Sequence, residues 1–116
     1  MDERRTAKRY PIWFPMSVDS DPLQDGLAVS QNISKSGLLM ATAAKLEVGA
    51  TVTVTFQLTR RDPVQRRIEG RIVRIQANAE DPEGLWPSFV AVAFDEAAPE
   101  IEPLLEELAA SGAYGT

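Results

Sequence analysis

Thr51-Val52-Thr53-Val54-Thr55-Phe56-Gln57-Leu58 alternates without a break. Val52, Val54, Phe56 and Leu58 share one face, and the threonines and Gln57 share the other. A period of two carried by β-branched and aromatic residues marks a strand with one buried face. Working outward, Val48-Gly49-Ala50 reads as a turn before it and Arg60-Arg61-Asp62-Pro63 as a turn after it. Ile68 to Ile75 is the next predicted strand. Its alternation is imperfect because Ile72 and Val73 are adjacent, and Gly70 is a candidate bulge. A loop with Asp81-Pro82-Glu83-Gly84 follows. Phe89-Val90-Ala91-Val92-Ala93-Phe94 is apolar on both faces, which predicts a central strand covered on both sides.

Upstream, Pro11 biases Tyr10 toward an extended form, and Ile12 to Val18 suggests a strand that Pro15 restricts to an edge or a bulge. Asp19-Ser20-Asp21-Pro22 and Asp25-Gly26 carry turn chemistry. Leu27, Val29, Gln31 and Ile33 alternate with Ala28, Ser30 and Asn32, a strand with one mostly apolar face. The chain turns at Gly37, and Leu38-Leu39-Met40 starts the return strand. At the far end, Ile101, Leu104, Leu105 and Leu108 form one helical stripe, with Glu100, Glu102, Glu106 and Glu107 opposite. Pro103 belongs in the first turn of that helix, and Gly112 is its expected stop. About six strands in turn-rich succession with one terminal helix predict a mostly β fold. The expected architecture is a small six-stranded antiparallel β-barrel with a C-terminal α-helix. Trp13, Phe14, Phe56, Phe89 and Phe94 are assigned to its core, and Trp86 to packing.

The 116 residues fit one domain. The expected division is a flexible arginine-rich arm over residues 1–10, the barrel and helix over 11–110, and a tail over 111–116. No stretch approaches a membrane span, and the charged N-terminus lacks an apolar leader, so a cytoplasmic protein without membrane insertion is expected. There is neither cysteine nor histidine. That removes thiol chemistry, the common transition-metal ligands and the usual general base near neutral pH. No catalytic residue, metal site or cofactor is therefore predicted. The net charge of −5 argues against nonspecific binding to nucleic acid, but it is unevenly spread. Residues 1–74 hold all 12 Lys and Arg and net +4; residues 75–116 hold nine acids and no base. A local basic site on an acidic protein is the natural reading.

Two clusters could form that site. Arg4-Arg5-Thr6-Ala7-Lys8-Arg9 is a set of guanidiniums, able to form paired hydrogen bonds to phosphate or to the O6/N7 edge of guanine. Asn32-Ile33-Ser34-Lys35-Ser36-Gly37 is a polar turn in which Asn32 and Ser34 can read a hydrogen-bonding edge. By parity, Asn32 and Ser34 would leave the preceding strand side by side on its polar face. Gly37 allows a tight turn and close approach of a ligand. Alone, each cluster is as readily a solvated arm or an ordinary turn.

In combination the clusters resemble the PilZ-domain signature, Arg-x-x-x-Arg followed by Asp/Asn-x-Ser-x-x-Gly. Here it reads Arg5-Thr6-Ala7-Lys8-Arg9 and Asn32-Ile33-Ser34-Lys35-Ser36-Gly37, with 22 residues between. Gly37-Leu38-Leu39, Val48-Gly49, Glu69-Gly70 and Phe89 to Phe94 are similar to the family's strands, and the likeness covers about residues 3–110. The resemblance implies a six-stranded barrel that binds cyclic di-GMP, the bacterial second messenger, without catalysis. It implies that Arg5 and Arg9 hold phosphate and guanine, that Asn32 and Ser34 contact a guanine edge, and that Gly37 shapes the turn. Arg4 stands where an extra arginine accompanies a stacked ligand pair, which implies two cyclic di-GMP molecules. Arg74 falls where relatives offer a ring to the base, and Ser36 where many have glycine. The expected protein is a monomer or weak dimer acting on an unidentified downstream protein. The alternative is a PilZ-like adaptor that binds no nucleotide and works through protein contacts alone. A barrel binding single-stranded nucleic acid would need aromatic platforms on a basic groove, which this chain lacks.

Overall fold

Six strands form where the sequence alternates, in a computed structural model that describes residues 8–21, 23–58, 65–81 and 83–111. They are β1 (Pro15–Ser20), β2 (Leu23–Ile33), β3 (Gly37–Thr42), β4 (Thr51–Phe56), β5 (Arg66–Ala77) and β6 (Ser88–Phe94). All pairings are antiparallel, and the sheet closes in the order β1-β2-β3-β6-β5-β4. Closure leaves no free edge, so Pro15 does not mark one. It stands first in β1, and pairing with β4 begins one residue later, at Met16–Phe56. There its missing N–H costs no ladder bond. A short 3₁₀ turn (Pro99–Ile101) leads into α1 (Glu102–Ser111), with Pro103 in the first turn as expected.

One apolar cluster fills the barrel. Val52, Val54 and Phe56 point inward from β4, as their alternation requires, and Phe56 packs on Phe14 with ring centroids 5.0 Å apart. Ile101 and Leu105 are fully buried in the same cluster, with Leu104 and Leu108 packed against it. The helical stripe is therefore what holds α1 to the barrel. Trp13 departs from the core assignment: it is 49% exposed. Trp86 is half-buried in a loop where its backbone N–H donates to Asp81 Oδ2 and its carbonyl accepts from Asn78 Nδ2.

Three irregularities of register shape the barrel. Asp25-Gly26 is not a turn but lies within β2, where pairing with β1 slips between Val18 and Ser20. Asp25 takes a positive φ of 55°, and its N–H donates to Asp19 Oδ1 at 2.7 Å. The second slip lies between Ser30 and Asn32 in β2, and the third between Ile72 and Arg74 in β5. A single extra residue switches the faces of everything beyond it. Ala28 and Ser30 thus face inward before Gln31, while Ile33 does so after it. Leu27, expected on the buried face, is 63% exposed. In β5 the extra residue is Val73, not Gly70. Gly70 serves close packing instead: a Cβ there would stand 2.5 Å from the carbonyl oxygen of Ala93.

Candidate functional site

The two internal bulges stand on either side of β3 and β6 and aim their following residues at one shared outer face. Cross-strand register places Asn32 opposite Leu39, Leu39 opposite Ala91, and Ala91 opposite Arg74. One row across four strands therefore has a polar residue at each end and an apolar floor between. The next row runs Gly37, Ala93, Arg71. The outer face of β6, expected to be covered, is open: Ala91 is half-buried and Ala93 exposed. These small side chains leave a groove of about 750 Å³, lined also by Arg9, Ser36 and Val73. Its volume lies in the range of small-molecule sites, roughly 300–1,000 Å³.

The first motif reaches the groove through Arg9. Tyr10 forms an isolated antiparallel bridge with Ile33: its N–H donates to Ile33 O at 2.8 Å, and Ile33 N–H donates back to Tyr10 O at 3.0 Å. That bridge brings Arg9 alongside Asn32, and Arg9 Nη1 donates to Asn32 Oδ1 at 2.8 Å. Two motifs 23 residues apart thus meet in a direct hydrogen bond. Arg4 and Arg5 lie outside the described residues. No carboxylate is among the groove's described lining residues, while two guanidiniums are, so its field favours anions.

The second motif divides its labour. Asn32 lines the groove as expected. Ser34, expected beside it, is fully buried. Its Oγ accepts from Ser36 N–H at 3.1 Å and lies 3.3 Å from the carbonyl of Gly37, so the hydroxyl is spent inside the turn. Parity failed because β2 ends at Ile33, and the turn rotates Ser34 inward. Ser36 is the exposed hydroxyl at the groove. Gly37 lines the floor and is required by the neighbouring strand: a Cβ would stand 2.5 Å from Val92 O. Sequence reasoning did not assign Leu39, Val73, Ala91 and Ala93 to the site. For Val73 a signal existed, since the adjacency of Ile72 and Val73 is what a bulge looks like in sequence.

The same elements touch the C-terminal segment. Ala98 N–H donates to Lys35 O at 2.7 Å and Phe94 N–H to Ser36 O at 2.9 Å. Tyr10 is 2% exposed, and its hydroxyl donates to Glu106 Oε1 at 3.4 Å, with Lys8 Nζ 5.3 Å from the ring centroid. Burial first, then the carboxylates of Glu106 and Glu102, hold this phenol above its ordinary pKa of 10.0. Among the described residues no cluster of three or more potential ligands could hold a metal, and no helix is long and apolar enough to cross a membrane.

Comparison with known proteins agrees with this fold. The sequence matches the PilZ domain over residues 3–111. No curated protein matches it. Among solved structures, the Bacillus subtilis inhibitor of motility (MotI/DgrA) superposes with a TM-score of 0.69 at 16% identity. The alignment covers 97% of this chain and 52% of that one, so the chain spans about half the length of that structure. At this identity the likeness is one of fold. The match over residues 3–111 takes in both arginine and asparagine motifs and the barrel that joins them, and the chain belongs to the PilZ domain family.

Proposed function

We propose that this barrel is a cyclic di-GMP receptor and that the groove over β3 and β6 is its site. The observation that carries the reading is the hydrogen bond from Arg9 to Asn32, which joins the two motifs at a hollow whose described lining residues include two guanidiniums and no carboxylate. A cyclic dinucleotide carries two phosphates and two flat bases. Arg9, with Arg4 and Arg5 from the arm, supplies the guanidinium forks for phosphate and guanine. Leu39, Val73 and the two alanines give the bases an apolar floor. Arg74 at the far wall can stack its planar guanidinium on a base. Asn32 reads a guanine edge, and Ser34 and Gly37 hold the loop that positions it. With Arg4 beside the first motif, two ligand molecules per domain are expected.

Half of this site belongs to the N-terminal arm, so binding draws the arm onto the nucleotide and changes the face offered to a partner protein. The titration of cyclic di-GMP followed by calorimetry tests the reading. Micromolar binding, lost in Arg9→Ala, is the expected result, with two ligands per chain. Absence of heat would return the protein to the nucleotide-free adaptor class.

A further inference from the structure

Resting on the receptor reading above, we infer that Ser36 is the hydroxyl that reads the guanine base, as an acceptor for its exocyclic N2 amino group. A serine hydroxyl has one proton and two acceptor positions. Ser34 Oγ lies 3.3 Å from Gly37 O, which can only accept, so its single proton goes there. Ser34 Oγ also accepts from Ser36 N–H at 3.1 Å. Its remaining contact, 3.2 Å to Ser36 Oγ, then has Ser36 as the donor. The hydroxyl proton of Ser36 is thereby turned toward Ser34 and away from the groove, and the hydroxyl's lone pairs are left for a ligand. The backbone of Ser36 is itself held at the groove, because its carbonyl accepts from Phe94 N–H at 2.9 Å.

Asn32 supplies the complementary half. Its Oδ1 is taken by Arg9, which leaves the amide N–H groups for the ligand. The groove therefore offers donors at Asn32 and an acceptor at Ser36. Guanine presents acceptors at O6 and N7 and a donor at N2, which matches both. Adenine keeps the N7 acceptor but has an N6 amino donor in place of O6 and no N2 amino group. It can therefore meet the Asn32 donors only at N7 and has nothing at the N2 position for Ser36 to accept. The hydroxyl at position 36 thus contributes to base selectivity, a task that the buried Ser34 cannot perform.

The test compares cyclic di-GMP with cyclic di-inosine monophosphate, which lacks only the N2 amino groups, on wild type, Ser36→Ala and Ser36→Thr. Ser36→Ala should weaken cyclic di-GMP binding about fivefold, the worth of one neutral hydrogen bond, and leave the inosine analogue unchanged. Ser36→Thr, which keeps the hydroxyl, should restore the difference. Equal losses on both nucleotides would make Ser36 a turn residue only and overturn the assignment. So would an unchanged affinity for cyclic di-GMP. In both cases wild-type binding leaves the receptor reading standing. A wild type that binds neither nucleotide overturns the receptor reading, and the assignment falls with it.

Discussion

Gly37 looks the same in sequence whether a ligand or a strand demands it. The structure separates the two: the nearest neighbour of a Cβ at Gly37 would be Val92 O, at 2.5 Å. That is backbone in the middle of a closed sheet and cannot move aside cheaply. Gly37→Ala should therefore destabilise the fold by about 1–3 kcal/mol, the usual cost of overpacking, as read by denaturant unfolding. If ligand approach were the reason for the glycine, stability would hold and only nucleotide affinity would fall. The motif as a whole was legible in the sequence, but the work of each position was not. Asn32 faces the groove, Ser34 closes the turn, and Ser36, outside the motif's fixed positions, is the exposed hydroxyl. Spacing reports that a turn exists, and hydrogen-bond partners decide which side chains it leaves outside.

At the scale of elements, the strands and the helix were readable because each buries one face, and burial writes its period into the sequence. The bulges were readable only in part. Ile72-Val73 breaks the alternation of β5 visibly, whereas Leu27 to Ile33 alternates smoothly through the slip in β2. Register belongs to the pair of strands, and one strand's sequence cannot report it. The junction between arm and helix was equally hidden, since Tyr10 and Glu106 stand 96 residues apart. It makes a prediction about alkaline stability. The folded state holds the Tyr10 phenol above 10.0 through burial and the nearby carboxylates, so it disfavours the phenolate more than the unfolded chain does. The resulting stability is complete below the unfolded value and is lost as pH rises through the folded one. Between about pH 9 and pH 11 the wild-type melting temperature should fall more steeply than that of Tyr10→Phe. Parallel curves would show that neither burial nor the carboxylates of Glu106 and Glu102 hold the phenol up in the folded state.

For the whole molecule, the question is whether a protein of net charge −5 attracts or repels an anionic nucleotide. The acids of residues 75–116 dominate the total, and Asp95, Glu96 and Glu100 line a separate hollow of about 510 Å³ beside Arg67. The groove is lined instead by Arg9 and Arg74, with Arg71 one row away. At physiological salt, charges beyond roughly 8 Å are largely screened, so the near guanidiniums should outweigh the distant carboxylates. The sign of the salt effect decides between them. If the local field governs, raising salt from roughly 50 to roughly 500 mM should weaken cyclic di-GMP binding about fivefold. Arg74→Gln should flatten that dependence, because one of the two guanidiniums among the groove's described lining residues is gone while the acidic surface is untouched. If the overall charge governs, salt should strengthen binding by screening repulsion, and Arg74→Gln should make that strengthening steeper. Calorimetric titrations at three salt concentrations, on both proteins, distinguish the two signs.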